Sequence, residues 1–324
     1  MNSASPSPAT SQPLNVIARS ALVAPNTKIL YFPTTKVACT TIKWMLAEAE
    51  GSLNLDAIPR LLAANSHRSQ TIHNRHVSGL QKLTELPPDE ARAILQSPEW
   101  TRVAAVRDPI ARAYSAWENR IFMRAIGRTD RGFELSPDVI EDGCINMTAS
   151  FATYSQALTD HQDAFMRDAH FVPQSRVLRP DFVKFDMLVR VDQPGGVDSI
   201  AALFRERSGK DIQPRRHNES IGVPLNRACD AATAQRLMAV YQSDYDTFGF
   251  ERREFAIAVE PYILSASETQ LVTLVRQSVE RVTSVSRAAQ SKMSARYGIR
   301  QIRKAFFRKV SFGRMYNTPR GIHW

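Results

Sequence analysis

Short apolar runs alternate with helical patterns along the first two thirds of the chain. Residues 28–32 (KILYF) are mainly apolar and lie between turn-forming segments, which is typical of a buried strand. A helix is predicted after the next loop, because Thr40 or Thr41 could cap it and Gly51 could end it. This first unit is therefore a strand, a loop and a helix.

The same order recurs further along the chain. Residues 101–106 form the next predicted strand, and Pro109 suits the first position of the helix that follows. A strand at 187–191 and helices at 197–207 and 228–245 continue the alternation. Such a pattern predicts an α/β domain whose central, mainly parallel sheet carries helices on both faces. Ligands of such sheets bind beyond the carboxyl ends of the strands.

Composition divides the chain into three parts. Residues 1–24 are predicted to be a disordered lead, 25–255 the main domain, and 256–324 a basic helical extension with helices at 265–295 and 296–310. The extension carries the net charge of +10, because its last 38 residues hold ten Lys or Arg and no acidic residue. A neutral body with a basic tail indicates a tethering segment.

This tail could lie on an anionic membrane surface, help to hold a negatively charged glycan, or be a solvated helix packed on the domain. No nucleic-acid partner is expected, because no nucleic-acid motif accompanies the charge. The sequence has neither an apolar run of about 20 residues nor a signal-like N-terminus. We therefore expect a cytoplasmic protein with peripheral membrane contact. Three widely spaced cysteines predict neither disulfides nor a metal site.

The loop at residues 33–43 (PTTKVACTTIK) has the composition of an anion site. It places Lys36, Thr40 and Thr41 between a strand and a helix N-terminus, where backbone N–H groups and the helix dipole favour a phosphate. A Walker A loop needs glycines, and this loop has none. A kinase-like NTPase is therefore disfavoured.

Two motifs resemble those of the carbohydrate sulfotransferases that include the heparan 2-O-, chondroitin/dermatan 4-O- and HNK-1 enzymes. Residues 35–41 (TKVACTT) resemble their 5'-phosphosulfate loop, usually PKVACT, with Thr35 in place of the usual proline. Residues 106–117 (VRDPIARAYSAW) resemble their 3'-phosphate motif, VRDPxxRxxSAY. The resemblance implies a P-loop-like three-layer fold and 3'-phosphoadenosine 5'-phosphosulfate (PAPS) as the sulfuryl donor, with no metal.

Three later segments extend the resemblance to about residue 250. Residues 168–174 (DAHFVPQ) are similar to the family segment DEHWxPQ, 185–192 to YDfigrxE and 241–249 to YxxDyxxFgY. The resemblance and the loop chemistry together give the candidate donor-binding residues. These are Lys36, Val37, Ala38, Cys39, Thr40, Thr41, Arg107, Ser115, Arg190 and Arg216.

Sulfuryl transfer also needs a group that stabilises the leaving phosphate and a base for the acceptor hydroxyl. Lys36 is the candidate for the first role. His76 is the first choice for the base, because residues 76–78 (HVS) resemble the segment that carries the base of heparan 2-O-sulfotransferase. His170, the third candidate catalytic residue, His73 and Glu118 are its rivals.

The sequence thus predicts a sulfotransferase that moves a sulfuryl group from PAPS to a hydroxyl of a carbohydrate or glycolipid by in-line displacement. Two alternatives remain open at this point. One is a kinase-like enzyme that uses ATP and Mg²⁺, and the other is a non-catalytic, membrane-associated binding protein.

Overall fold

A five-stranded sheet lies at the centre of the computed structural model, which describes residues 14–59, 68–123, 135, 138–215, 222–293 and 298–299. The strands are β1 (Leu22–Ala24), β2 (Ile29–Phe32), β3 (Gln81–Lys82), β4 (Thr101–Val106), β5 (Val139–Glu141), β6 (Cys144–Asn146) and β7 (Met187–Arg190). The strand order in the sheet is β3-β1-β2-β4-β7; β2, β4 and β7 are parallel, and β1 and β3 add an antiparallel edge. The other two strands, β5 and β6, form a separate hairpin.

Helices follow the parallel strands as the alternating pattern predicts, so the mainly parallel α/β fold is confirmed. One π-helical turn, Glu118–Phe122, extends the helix Pro109–Trp117. The α-helices are α1 (Leu14–Ile17), α2 (Cys39–Glu50), α3 (Arg75–Ser78), α4 (Pro88–Gln96), α5 (Pro109–Trp117), α6 (Met147–Asp160), α7 (Gln162–Phe165), α8 (Gln174–Leu178), α9 (Gly196–Ser208), α10 (Leu225–Ala228), α11 (Ala231–Val240), α12 (Gln242–Phe248) and α13 (Ala266–Met293).

Helix boundaries depart from the sequence-based prediction in two places. Ala38 occupies the N-cap position of α2 in a left-handed conformation, so neither Thr40 nor Thr41 caps that helix. Gly51 ends α2 with φ 76°, as predicted. The single helix predicted at 228–245 is divided into α11 and α12, because Asp230 caps α11 through the Thr233 N–H and the chain turns again at Tyr241.

The predicted boundary of the N-terminal lead is corrected. Residues 14–24 contain α1 and β1, and the apolar side chains of Ile17, Ala21 and Val23 are buried in the core. β1 pairs with β2 through a turn that Glu50 holds, since its carboxylate accepts the backbone N–H groups of Asn26 and Thr27. Residues 1–13 lie outside the described residues.

The first part of the predicted extension packs against the body. Leu264 and Val272 are buried in the same core cluster as Trp117, and Arg276 makes two 2.6 Å hydrogen bonds to the carboxylate of Asp138. None of the described helices is long and apolar enough to span a bilayer. The helix predicted at 296–310 lies outside the described residues except for 298–299.

Candidate active site

The loop between β2 and α2 forms a concave backbone surface. Lys36 and Ala38 have φ 65° and 58°, a left-handed conformation that costs a non-glycine residue about 1–2 kcal/mol. Right- and left-handed residues in alternation turn successive N–H groups to one side, which creates an anion-binding nest. No side chain caps α2, so its first N–H groups also point into this loop. The backbone is therefore built to receive a phosphate or sulfate.

Lys36 adds a positive charge to the nest. The side chain of Lys36 is half-buried, and the desolvation of its ammonium group is the main reason why its pKa falls to about 8. The charges of Arg120 and Arg107 act in the same direction. Glu118 opposes this shift. An anion that binds beside a lysine in such surroundings stabilises the charged form of the lysine, because it compensates the desolvated charge.

A second candidate anion site follows β4. Arg107 leaves the end of this strand, and Asp108 caps α5 by accepting the Ala111 N–H at 2.8 Å. Ser115 lies two helical turns on, and it lines, together with Arg107, one pocket of about 300 Å³. The structure thus brings together the two residues predicted to bind one phosphate. Burial lowers the pKa of Arg107, but this guanidinium remains a cation at neutral pH.

A buried brace holds the backbone of Arg107 in place. Gln174 accepts the Arg107 N–H through Oε1 and donates to its carbonyl through Nε2, both at 2.9 Å. Asp244 in turn accepts the backbone N–H groups of Gln174 and Ser175 at 2.9 and 2.7 Å. Gln174 and Asp244 are fully buried. The segments around residues 174 and 244 therefore act on the second anion site, which the sequence motifs alone did not indicate.

We expect Asp244→Ala to lower the free energy of unfolding by about 3 kcal/mol, because two buried N–H groups and the Ser175 hydroxyl would lose a charged acceptor. Chemical denaturation measures this loss. Asp246→Ala is the matched control: this exposed residue accepts one hydrogen bond from Gln242, and we expect a change of less than about 0.5 kcal/mol. Similar losses in the two variants would contradict the brace.

His170 lies in a chain of charged groups. Its Nδ1 is 2.6 Å from Oδ1 of Asp168, and Oδ2 of Asp168 accepts a hydrogen bond from Arg120 at 3.1 Å. These contacts hold the pKa of Asp168 well below its usual range, although burial acts against them. Burial lowers the pKa of His170, with Arg120 and Lys36 adding to the effect and Asp168 opposing it. A lowered pKa favours the neutral ring at pH 7, and the Asp168 carboxylate beside Nδ1 favours the tautomer whose proton is on Nδ1, with Nε2 as the proton acceptor.

Another histidine contacts the first loop. The ring of His73 joins Thr40 Oγ1 through Nε2 and Lys43 Nζ through Nδ1, each at 3.2 Å. His73 is exposed as a whole, but desolvation of the ring by its neighbours, followed by the charges of Lys43 and His170, lowers its pKa to about 4. His76 lies one turn further, on α3, with an exposed side chain, and its backbone N–H donates to Asn74. Its role as the base stays a prediction.

The remaining donor-binding candidates lie near the two loops, apart from Arg216, which is outside the described residues. Val37 is fully buried, Cys39 begins α2 half-exposed, and the Thr41 hydroxyl donates to the Arg215 carbonyl at 3.0 Å. Arg190 ends β7 beside Val106, pairs with Asp192 at 3.1 Å and stacks on Phe250 at 4.5 Å. These residues line the same carboxyl edge of the sheet.

Sequence reasoning missed Arg112, which is buried and donates to backbone carbonyls on both sides of the site. The sequence showed that Arg112 lies in the 3'-phosphate motif, but no neighbouring residue indicated its partners, which lie 77 and 60 residues away. Among the described residues, no cluster of three or more His, Cys, Asp or Glu side chains could hold a metal ion.

Two loops suited to anions at one edge of a parallel sheet are typical of enzymes that transfer a charged group from a nucleotide. A model of the sulfotransferase family matches residues 19–251. The chain therefore belongs to the sulfotransferase family, as its motifs predicted. No curated protein and no solved structure matches the chain.

Proposed function

We propose that this chain transfers a sulfuryl group from PAPS to a hydroxyl of a carbohydrate or glycolipid. The observation that carries the proposal is the pair of anion sites that follow neighbouring parallel strands, the Lys36 nest after β2 and the Arg107–Ser115 pocket after β4. PAPS has two separate anionic ends, a 5'-phosphosulfate and a 3'-phosphate, and would supply the sulfuryl group. Two cationic sites on one sheet edge suit such a nucleotide.

The residues present fit this donor. Lys36, the N–H groups of residues 36–41 and the hydroxyls of Thr40 and Thr41 would hold the 5'-phosphosulfate. Arg107 and Ser115 would hold the 3'-phosphate, and Arg190, at the end of the adjacent strand, could reach the same nucleotide. Arg216 remains a sequence-based candidate for a further phosphate contact.

Catalysis would require little covalent chemistry from the protein, because sulfuryl transfer, like phosphoryl transfer, depends mainly on positioning and charge stabilisation. Lys36 would stabilise the negative charge that develops on the leaving phosphate. We assign the base role to His170 in preference to His76, because Asp168 fixes its tautomer and the charge of Lys36 acts on its ring. Nε2 of His170 would take the proton as the acceptor oxygen forms its bond to sulfur.

The acceptor class rests on the resemblance of the motifs to carbohydrate sulfotransferases. Incubation of the enzyme with PAPS radiolabelled in the sulfuryl group and a cell extract, followed by identification of the labelled product, tests it. Label in a sugar or glycolipid supports the proposal, and label only in a protein or a small phenol contradicts it. The cytoplasmic location and the membrane contact of the basic tail also stay predictions.

We expect 3'-phosphoadenosine 5'-phosphate (PAP), the product nucleotide, to raise the unfolding temperature by about 4 °C at about a hundredfold excess over its dissociation constant. ATP with Mg²⁺ should have a smaller effect, because it lacks the 3'-phosphate. Arg107→Ala should remove most of the PAP effect, whereas Arg167→Ala, at an exposed arginine, should retain it. Scanning fluorimetry measures the shift. A larger shift with ATP and Mg²⁺ would favour the kinase-like alternative, and no shift with either nucleotide would favour a binding protein.

A further inference from the structure

One buried guanidinium joins the loop after β2 to the segment at residues 169–172. Nε of Arg112 donates to the Thr35 carbonyl at 3.0 Å, and Nη1 donates to the Val172 carbonyl at 2.9 Å. Nη2 donates to the Ala169 carbonyl at 3.3 Å. Arg112 is 1% exposed, so its partners are dictated by the fold and not by solvent. The segment before Lys36 and the segment around His170 thus share one anchor.

The Thr35 hydroxyl adds a direct link between the same two segments. It accepts a hydrogen bond from Nη2 of Arg112 at 3.2 Å and donates one to the Ala169 carbonyl at 3.0 Å. Thr35 precedes Lys36 in the chain, and Ala169 precedes His170. A single side-chain oxygen, Oγ1 of Thr35, therefore connects the backbone beside Lys36 to the backbone beside His170.

The hydroxyl of Thr35 is what makes this link. A side chain without a hydroxyl, such as valine, could neither accept from Arg112 nor donate to Ala169. Without the hydroxyl, the Ala169 carbonyl would keep only the 3.3 Å contact with Arg112, the longest of the hydrogen bonds that this guanidinium makes.

We propose that Thr35 is a positioning residue that couples occupation of the donor nest to the placement of His170. The inference rests on the proposed function, because it takes the nest as the donor site and His170 as the base. When an anion orders the loop at Lys36, the Thr35 hydroxyl transmits this order to residues 168–172. The base is then held in place when the donor is bound.

Hydrogen exchange followed by mass spectrometry on the full-length chain tests the coupling, with PAP as the probe. In the wild-type protein, PAP should slow exchange in peptides that cover residues 33–41 and 168–174. In Thr35→Val, PAP should still slow exchange at 33–41, but the effect at 168–174 should fall by about fivefold, the equivalent of one hydrogen bond. Thr35→Ser, which keeps the hydroxyl, should restore it.

One control variant and one substitute variant keep the outcomes distinct. Thr159→Val removes the hydroxyl of an exposed residue, which donates to the Ser155 carbonyl of the same helix, and should behave as the wild type does. Thr35→Ala replaces Thr35→Val if the valine variant does not fold. Protection of 168–174 by PAP in a hydroxyl-free variant equal to that in the wild type would overturn the coupling alone. If PAP slows exchange in neither segment of the wild-type protein, the donor assignment fails and the coupling fails with it.

Discussion

Replacement of Lys36 by alanine is expected to slow sulfuryl transfer by about a thousandfold, the usual effect of removing one preorganised group that stabilises transition-state charge. The nest would keep its N–H groups but lose the only side-chain charge that the loop at 33–41 provides. Transfer of radiolabelled sulfuryl from PAPS to the acceptor measures this loss. Lys184→Ala, at an exposed lysine before β7, is the matched control and should retain activity.

The lowered pKa of Lys36 adds a pH dependence to this prediction. The Lys36 side chain has a pKa of about 8, so it is a cation at lower pH and loses its charge as the pH rises through that value. The affinity for PAP should therefore fall above about pH 8. The bound anion opposes deprotonation, which makes the loss a property of the free enzyme. Calorimetric titration at several pH values should show the decline in the wild type and not in Lys36→Ala. The same decline in both proteins would show that another group titrates.

Replacement of His170 by glutamine is expected to lower kcat by about 10²- to 10⁴-fold, the range found for general acid–base residues, and to leave PAP affinity within about twofold. Glutamine can still donate a hydrogen bond to Asp168, but it cannot accept a proton. Steady-state kinetics and calorimetry separate the two effects. His76→Ala is the comparison variant, because the sequence alone favoured His76 and the exposed position of its side chain favours a small effect.

The pH profile of kcat tests the same assignment. Burial lowers the pKa of His170 below 6.5, so the neutral, proton-accepting form persists at pH 7 and is lost only as the pH falls through a value below 6.5. The acidic limb of the profile should therefore lie below pH 6.5 and disappear in His170→Gln. Full activity of His170→Gln would move the base role to His73 or Glu118. A large loss in His76→Ala with intact folding would return it to His76.

Local signals were sufficient for the two strand–loop–helix units that carry the donor residues. An apolar run, a proline at a helix start and a glycine at a helix end act within a few residues of one another, so periodicity and turn chemistry placed β2, β4 and α5 correctly. The parallel arrangement followed from the alternation of elements. Sequence also identified Lys36, Arg107 and Ser115 as candidates, because their chemistry and their position after strands are visible without the fold.

Contacts between distant segments were visible only in the tertiary structure. The observation that favours His170 among the base candidates is a chain of contacts in which Asp168 holds its ring and Arg120, 48 residues away, holds Asp168. The same is true of the Asp244–Gln174 contact, which spans 70 residues, because hydrogen bonds of this kind leave no periodic trace in the sequence. Sequence reasoning also failed to predict that α1 and β1 are ordered elements, since such short elements are stabilised by burial against the rest of the chain and not by their own propensity.

The sequence by itself thus determined the class of fold and the chemical composition that makes its two loops candidate anion sites, because both depend on residues close together along the backbone. The tertiary structure decided which side chains share a site. It placed Ser115 and Arg107 in one pocket and linked Thr35 to the segment of His170. These relations depend on long-range packing, in which each partner is selected by the whole core and not by its neighbours in sequence.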